Sequence, residues 1–280
     1  MPDLDKEPPS KLSIDKGTVI GLVIALGGIV GGLLLEKGSL ADIAQGTAAL
    51  IVLGGTIGAV LVANPFADVI AAVRELRYVF FDPGGSSRAT LEQIIGFATK
   101  ARRNGIVSLE EDADNIEDPF LRKAINLAID VAELTELKHT MQLDQDKEER
   151  RMLSRAKVFE SAGGYSPTIG IIGAVLGLIQ VMKNLANIEE VGRGIAVAFV
   201  ATVYGVGAAN LFFLPAASKI RGRAKRRMEA TDLMLEGVAG IVEGMNPKMI
   251  RRKLESLVDA PDEKAAVARG EVPSPSRVEV

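Results

Sequence analysis

The side chains that could move a proton are missing where the chain is most apolar. From Gly194 to Ser218 there is no charged residue, which is long enough to span a bilayer. Within that stretch Thr202 and Tyr204 place hydroxyls at or near the middle, and Asn210 adds an amide. Thr168 opens the preceding apolar block. Such hydroxyls donate and accept hydrogen bonds but do not store a proton at neutral pH. No Asp, Glu, Lys, Arg or His lies in the core of any apolar block, although a proton pathway usually shows an intramembrane carboxylate or His. Two readings stand side by side: the chain conducts no ion, or a partner supplies the titratable group. The hydroxyls could line a wet path, or they could bond across helices or to their own backbone.

Other chemistry is narrowed by composition. The 280-residue chain has no Cys, which excludes disulfides and cysteine-bearing metal sites, and no Trp. His139 is its one histidine and reads as a solvated helix residue, which leaves little room for His-based metal or triad chemistry. There is no phosphate loop, no metal-ligand spacing and no paired carboxylates in a pocket-like context, so neither an enzyme nor a cofactor is expected. The net charge of −3 says little, because the sign alternates along the chain.

Four apolar blocks must position these groups. Gly17–Leu35 carries Gly27-x-x-x-Gly31 and Gly28-x-x-x-Gly32. It reads as a span and not a cleaved signal peptide, because no small-residue cleavage site precedes Glu36 and a second block follows at once. Glu36 to Asp42 reads as a turn, and Ile43–Ala63 returns, with Asn64-Pro65 marking its exit. The third block, Thr168–Met182, is short for a span unless Ala162–Tyr165 and Leu185–Ile188 extend it and Lys183 snorkels. Gly163-Gly164-Tyr165-Ser166-Pro167 breaks the pattern just before it, and Glu189, Glu190 and Arg193 form the turn beyond it. In the fourth block Ala201, Gly205 and Ala209 recur four apart on one face, so a neighbouring helix can approach closely. Pro215 stands where this helix should leave the membrane, followed by Lys219, Arg221, Arg223, Lys225, Arg226 and Arg227.

The glycines of the first two blocks read as packing alone. The third and fourth blocks, with glycine, hydroxyls and edge prolines, better suit a moving or lining helix pair. The basic run is a topology and headgroup signal, not a nucleic-acid site. By Lys/Arg counts both termini and the middle region face the cytoplasm.

Between the hairpins the chain is soluble-looking and helical, with no strand pattern of any length. Ala67–Phe81 and Ala89–Asn104 have helical apolar spacing. Asp82-Pro-Gly-Gly-Ser is a turn and Gly105 a helix stop. Asp118-Pro119 is a cap with Pro at the first helical position, and 133–159 is one long charged helix. Beyond the membrane part a helix runs to about Gly244, and Asn246-Pro247 opens another. The expectation is an all-α membrane protein with four transmembrane helices, a helical cytoplasmic domain and both termini inside. Its parts are a tail over 1–16, a transmembrane hairpin over 17–63, a cytoplasmic helical domain over 64–160, transmembrane helices over 161–218, cytoplasmic helices over 219–258 and a disordered tail over 259–280.

AVAFVATVYGVGAANLFFLP, with GGYSPTIGIIGAVLGLIQVM before it and GMNPKMIRRKLESL after it, resembles the MotA/PomA family of flagellar motor stator subunits. ExbB and TolQ are more distant and differ in having three spans and an outside N-terminus. The likeness covers about residues 15–258. It implies a bacterial inner-membrane, multi-pass stator subunit that assembles as a homopentamer around a dimer of a MotB-type partner. The partner's Asp carries the ion, and the cytoplasmic region pushes on FliG of the rotor. Carried over residue by residue, Pro167 and Pro215 match the family's prolines tied to the conformational step. Thr202 matches the pore-facing Thr, and Arg102 and Glu110 match the charged pair that contacts the rotor. Tyr204 and Ala174 are the other candidates lining the ion path. Sodium-type relatives tend to have Thr where this chain has Ala174, so the resemblance leans towards protons, with sodium the alternative. The competing function is an ExbB/TolQ-like proton-channel energiser that drives a periplasmic partner.

Overall fold

The structure, a computed structural model, describes residues 13–82, 87–130 and 133–258. The polar tail up to residue 12, the core of the turn after Asp82, and the tail over 259–280 lie outside the described residues. Among the described residues four helices are long and apolar enough to cross a membrane: Lys16–Leu35, Gly46–Ala63, Leu134–Lys183 and Ile188–Val242.

Helix α1 is Lys16–Leu35, capped by Asp15, whose carboxylate accepts from the Thr18 amide at 3.0 Å. None of its residues is buried. Residues 36–42 are not the bare turn expected, since helix α2, Leu40–Ile43, begins inside them. The cause is local: Ser39 and Asp42 cap each other's backbone amides in a capping box. The second span is α3, Gly46–Ala49, then a π-helical stretch, Leu50–Gly54, then α4, Gly55–Ala63. It ends before Asn64-Pro65, as the proline requires.

Next come α5, Phe66–Glu75, and α6, Arg77–Phe80. Strand β1, Ser13–Ile14, pairs antiparallel with β2, Phe81–Asp82. This two-residue ladder is the only strand pairing among the described residues. Helix α7 is Ser87–Asn104, stopped by Gly105 at φ 85°. A 3₁₀ turn, Ile106–Leu109, leads into α8, Glu110–Ala113. Helix α9, Pro119–Asp130, opens as the Asp118-Pro119 spacing predicts: the Asp118 carboxylate accepts from the Phe120 and Leu121 amides at 2.8 and 3.2 Å.

Helix α10 runs from Leu134 to Lys183 with Pro167 inside it, so the break expected at Gly163–Pro167 does not occur. Proline removes one helical hydrogen bond without ending the helix, because the apolar packing on both sides holds the path. The far-side turn is Asn184–Asn187 and not the charged residues. Asn187 caps α11, Ile188–Ala208, whose first turn contains Glu189 and Glu190. That places acidic groups at a helix N-terminus, where the dipole favours them. A second π-helical stretch, Ala209–Phe213, passes directly into α12, Leu214–Val242, so the helix does not end at Pro215. Helix α13 is Pro247–Val258.

The chain forms two compact units: residues 1–84 with 150–224, and residues 85–149 with 225–280. The first holds the membrane hairpins. One of its clusters joins Ala48 and Val52 to Val200 and Ala201; another joins Val60, Phe159 and Ala162 to Ala216, Ala217 and Ile220. The second is a helical domain around Ile94, Leu109, Leu121, Ile125, Leu137, Val238, Ile250 and Leu254. Its edge is fastened by ion pairs. Arg227 reaches Asp118 at 2.6 Å and Glu148 at 3.1 Å, and Arg251 grips Glu92 through two bonds of 2.6 and 2.7 Å.

Asp118 thus caps α9 and receives Arg227. Partial burial alone would raise its pKa, but the Arg227 bond and charge and the two amides outweigh burial and hold it below 3.8. Its stabilisation is therefore present above that value and fades as pH falls through the lowered one. Asp118→Asn should cost about 2 kcal/mol at pH 7, less than a fully buried pair because the two side chains keep 22% and 26% of their exposure. Thermal melts of the full chain should show this gap closing once the pH is taken below the carboxylate range.

Candidate functional site

The membrane unit is organised by the contact of α10 with α11, where glycine lets backbone meet backbone. A Cβ built on Gly177 would stand 2.8 Å from the Gly194 carbonyl and 2.9 Å from the Ala198 amide. On Gly170 it would stand 2.9 Å from the Ala201 carbonyl, and on Gly205 2.6 Å from the Ser166 carbonyl. The face read from Ala201, Gly205 and Ala209 is buried at all three positions. In lipid, helices associate through such close packing, because burial of apolar surface gains nothing against hydrocarbon.

This contact sets the level of the candidate residues. Thr202 is half-buried beside Gly170, and its hydroxyl donates to the Ala198 carbonyl at 3.2 Å. Ala174 is half-buried next to Gly173, which meets Ala201. The structure therefore brings Thr202 and Ala174 to one layer. Tyr204 is placed differently. Its hydroxyl donates to the Ile43 carbonyl at 2.5 Å and accepts from the Gln45 amide at 3.4 Å. It ties α11 to the link before the second span, and two residues along a helix put it on the other side from Thr202. Thr168 donates to its own backbone, to the Tyr165 carbonyl at 2.8 Å. Asn210 is exposed, with its amide bound to the Val206 carbonyl at 2.9 Å.

A second contact lies between the turn before Pro167 and the turn before Pro215. Pro167 has no N–H, which deprives the Gly163 carbonyl of its usual donor. A Cβ on Gly163 would lie 2.5 Å from the Leu214 side chain, and Leu214 immediately precedes Pro215. Ahead of Pro215 the turn is widened: the Leu214 amide donates to the Ala209 carbonyl, five residues back. A π turn of this kind accommodates the proline ring without breaking the helix. So each helix is one hydrogen bond short, and the two weak points face each other.

Sequence reasoning missed two residues here. Ser166 and Thr56 are 0% and 1% exposed, and neither hydroxyl has a hydrogen-bond partner among the described residues. Ser166 sits against Gly205, and Thr56 lies on the α4 face between Val52 and Val60, each of which packs in a core cluster. The available signal for Ser166 was its place beside a helix-interior proline. For Thr56 it was a polar residue one turn from both buried valines.

In the other unit Arg102 closes α7 and Glu110 opens α8, both exposed and on either side of Gly105. Neither takes part in an ion pair among the described residues, and no bond joins them to each other. The Leu109 side chain between them is fully buried, which anchors the turn that displays them.

Two family descriptions match the chain: the MotA/TolQ/ExbB proton channel family over residues 112–233, and Motility protein A N-terminal over residues 19–105. Motility protein A of Bacillus subtilis is 31% identical over 92% of this chain and 96% of its own length. Chemotaxis protein PomA of Vibrio alginolyticus is 27% identical over 88% of this chain and 96% of its own length. Among solved structures, C. jejuni MotAB superposes with a TM-score of 0.82 at 31% identity, covering 87% of this chain and 96% of that one. The flagellar MotAB stator complex from Bacillus subtilis gives 0.81 at 30%, covering 89% and 99%.

The close contact is directly testable. Gly177→Ala forces a methyl against backbone that cannot swing aside and should destabilise the full chain by about 1–3 kcal/mol. Gly207→Ala, where nothing lies within 4 Å, should leave stability unchanged. Detergent-resistance melts of the two variants beside the parent protein measure the difference.

Proposed function

This chain belongs to the MotA/TolQ/ExbB proton channel family, and from that premise we propose that it is the membrane-embedded stator subunit of a bacterial flagellar motor, converting ion flow into torque. What carries the reading is the pairing of a Motility protein A N-terminal match over 19–105 with 31% identity to a motility protein along nearly the whole chain. That N-terminal match favours the motor branch over an ExbB/TolQ-like energiser.

The missing intramembrane carboxylate then has an explanation. The relatives solved as MotAB complexes contain a second subunit. A partner of that type supplies the ion-binding Asp, and five copies of this chain surround it. Thr202 and Ala174 face the ion path from one layer. A sodium ion needs several oxygen ligands, and Ala174 offers none, so the ion is the proton. Pro167 and Pro215 provide the yielding point: two helices that each lack a hydrogen bond at one level can bend there at low cost. Arg102 and Glu110, unpaired on a rigidly anchored turn, are free to steer an opposite charge pattern on the rotor protein FliG. The basic residues after Pro215 place that end of the spans in the cytoplasm.

Swimming of a motility-null strain that expresses this chain with its cognate partner should stop when a protonophore is added at constant sodium. Swimming that follows sodium instead overturns the ion assignment. Failure to swim under any condition, with the complex intact, favours the energiser.

Thr202→Val is a clean probe, because it keeps shape and removes a hydroxyl whose only bond among the described residues is to its own helix. It should abolish swimming while the complex still purifies intact. Unaltered swimming removes Thr202 from the ion path.

A further inference from the structure

A cavity of about 320 Å³ lies inside the membrane unit, beside the widened turn and Pro215. Gly21 and Ala25 of α1 form one wall, Phe80 of α6 the back, and Leu211 and Phe212 the other wall. Lys219 stands at its end, held to Asp15 at 2.5 Å. That bond, with the Thr18 amide, lowers the Asp15 carboxyl to about 2, so the pair is fully charged at neutral pH. A charged pair at the ends of two apolar stretches marks the headgroup level of the bilayer. Below it, α1 residues 17–25 line the cavity for about 12 Å of helix rise.

Three observations fix the chemistry of an occupant. No charged group lines the cavity below Lys219, and its one amide there, Asn210, is already bound to Val206. The rest of the lining is apolar apart from Thr18, near the Lys219 end. Gly21, Asn210 and Pro215 are exposed, so the cavity opens on the flank of the spans, and α1 itself buries no residue that could fill it. An apolar rod that enters sideways from the hydrocarbon fits these walls.

We propose that this cavity is a binding site for one acyl chain of a phospholipid from the adjacent leaflet. The chain lies between α1 and the π-helical stretch and packs on Pro215. There it replaces the contacts that α1 does not make and supports a helix turn lacking its regular bonds. The proposal needs only the membrane spans and α6, and stands apart from the motor reading.

The test uses the full-length chain in its assembled complex, reconstituted in nanodiscs with a phosphatidylglycerol that carries a photoreactive diazirine near the end of one acyl chain. After illumination, peptide mass spectrometry should find adducts on Leu211 and Phe212, at the deep end of the cavity. Gly21→Leu places a side chain where an added Cβ meets nothing within 4 Å, so it fills the cavity without a clash. It should reduce those adducts to background while labelling at Leu34 and Leu35, at the far end of α1, persists. Ala25→Leu serves the same purpose if Gly21→Leu fails to assemble. Absence of adducts on Leu211 and Phe212 in the parent complex means a neighbouring copy or partner covers the cavity and overturns the proposal. Labelling undiminished in the filled variants means the acyl chain passes over the surface, which also overturns it.

Discussion

The membrane part depends on backbone meeting backbone where α10 crosses α11. In hydrocarbon there is no water to expel from between two helices, so their association rests on contact distance. Gly170, Gly177, Gly194 and Gly205 give that distance, each at a point where a methyl group would strike the opposite main chain or a packed side chain. Everything proposed for the site follows from the register this contact imposes. It puts Thr202 level with Ala174, and it sets Gly163 against Leu214.

That same register turns two separate helix faults into one feature. A proline inside a helix normally bends it, and a π turn is a stored irregularity. Here both occur at the same level on facing helices, with the orphaned Ser166 hydroxyl beside them. A buried hydroxyl without a partner is costly and rarely retained without reason. The layer is the least well satisfied part of an otherwise tightly packed helix pair. A segment that must change shape is drawn from such places.

The helical domain has the opposite character. Leu109, Ile116, Leu121 and Ile125 are fully buried, and Asp118 both caps α9 and holds Arg227. Such a body keeps Arg102 and Glu110 in fixed positions while leaving both exposed. Exposed charges of this kind contribute little to stability.

The sequence by itself determined the class: four apolar blocks, the third long enough for a bilayer only with its flanks, small residues four apart on the fourth, and the Asp118-Pro119 and Asn246-Pro247 helix starts. These features are local or periodic, and composition suffices to read them. It also revealed the missing carboxylate, because an absence within an apolar run needs no coordinates. What it misjudged was where helices stop. Gly163–Pro167 read as a break, since glycine and proline usually punctuate; in the fold it lies inside a continuous helix, because packing on either side outweighs one lost hydrogen bond. The turn over 36–42 hid a capping box for the converse reason, a local bond pattern stronger than the length argument. Only the tertiary structure decided that Tyr204 ties down the link at Ile43, that Ser166 and Thr56 are buried without partners among the described residues, and that Gly163 lies against Leu214. Those facts depend on which residue of one helix lies opposite which residue of another, and a single sequence does not carry that register.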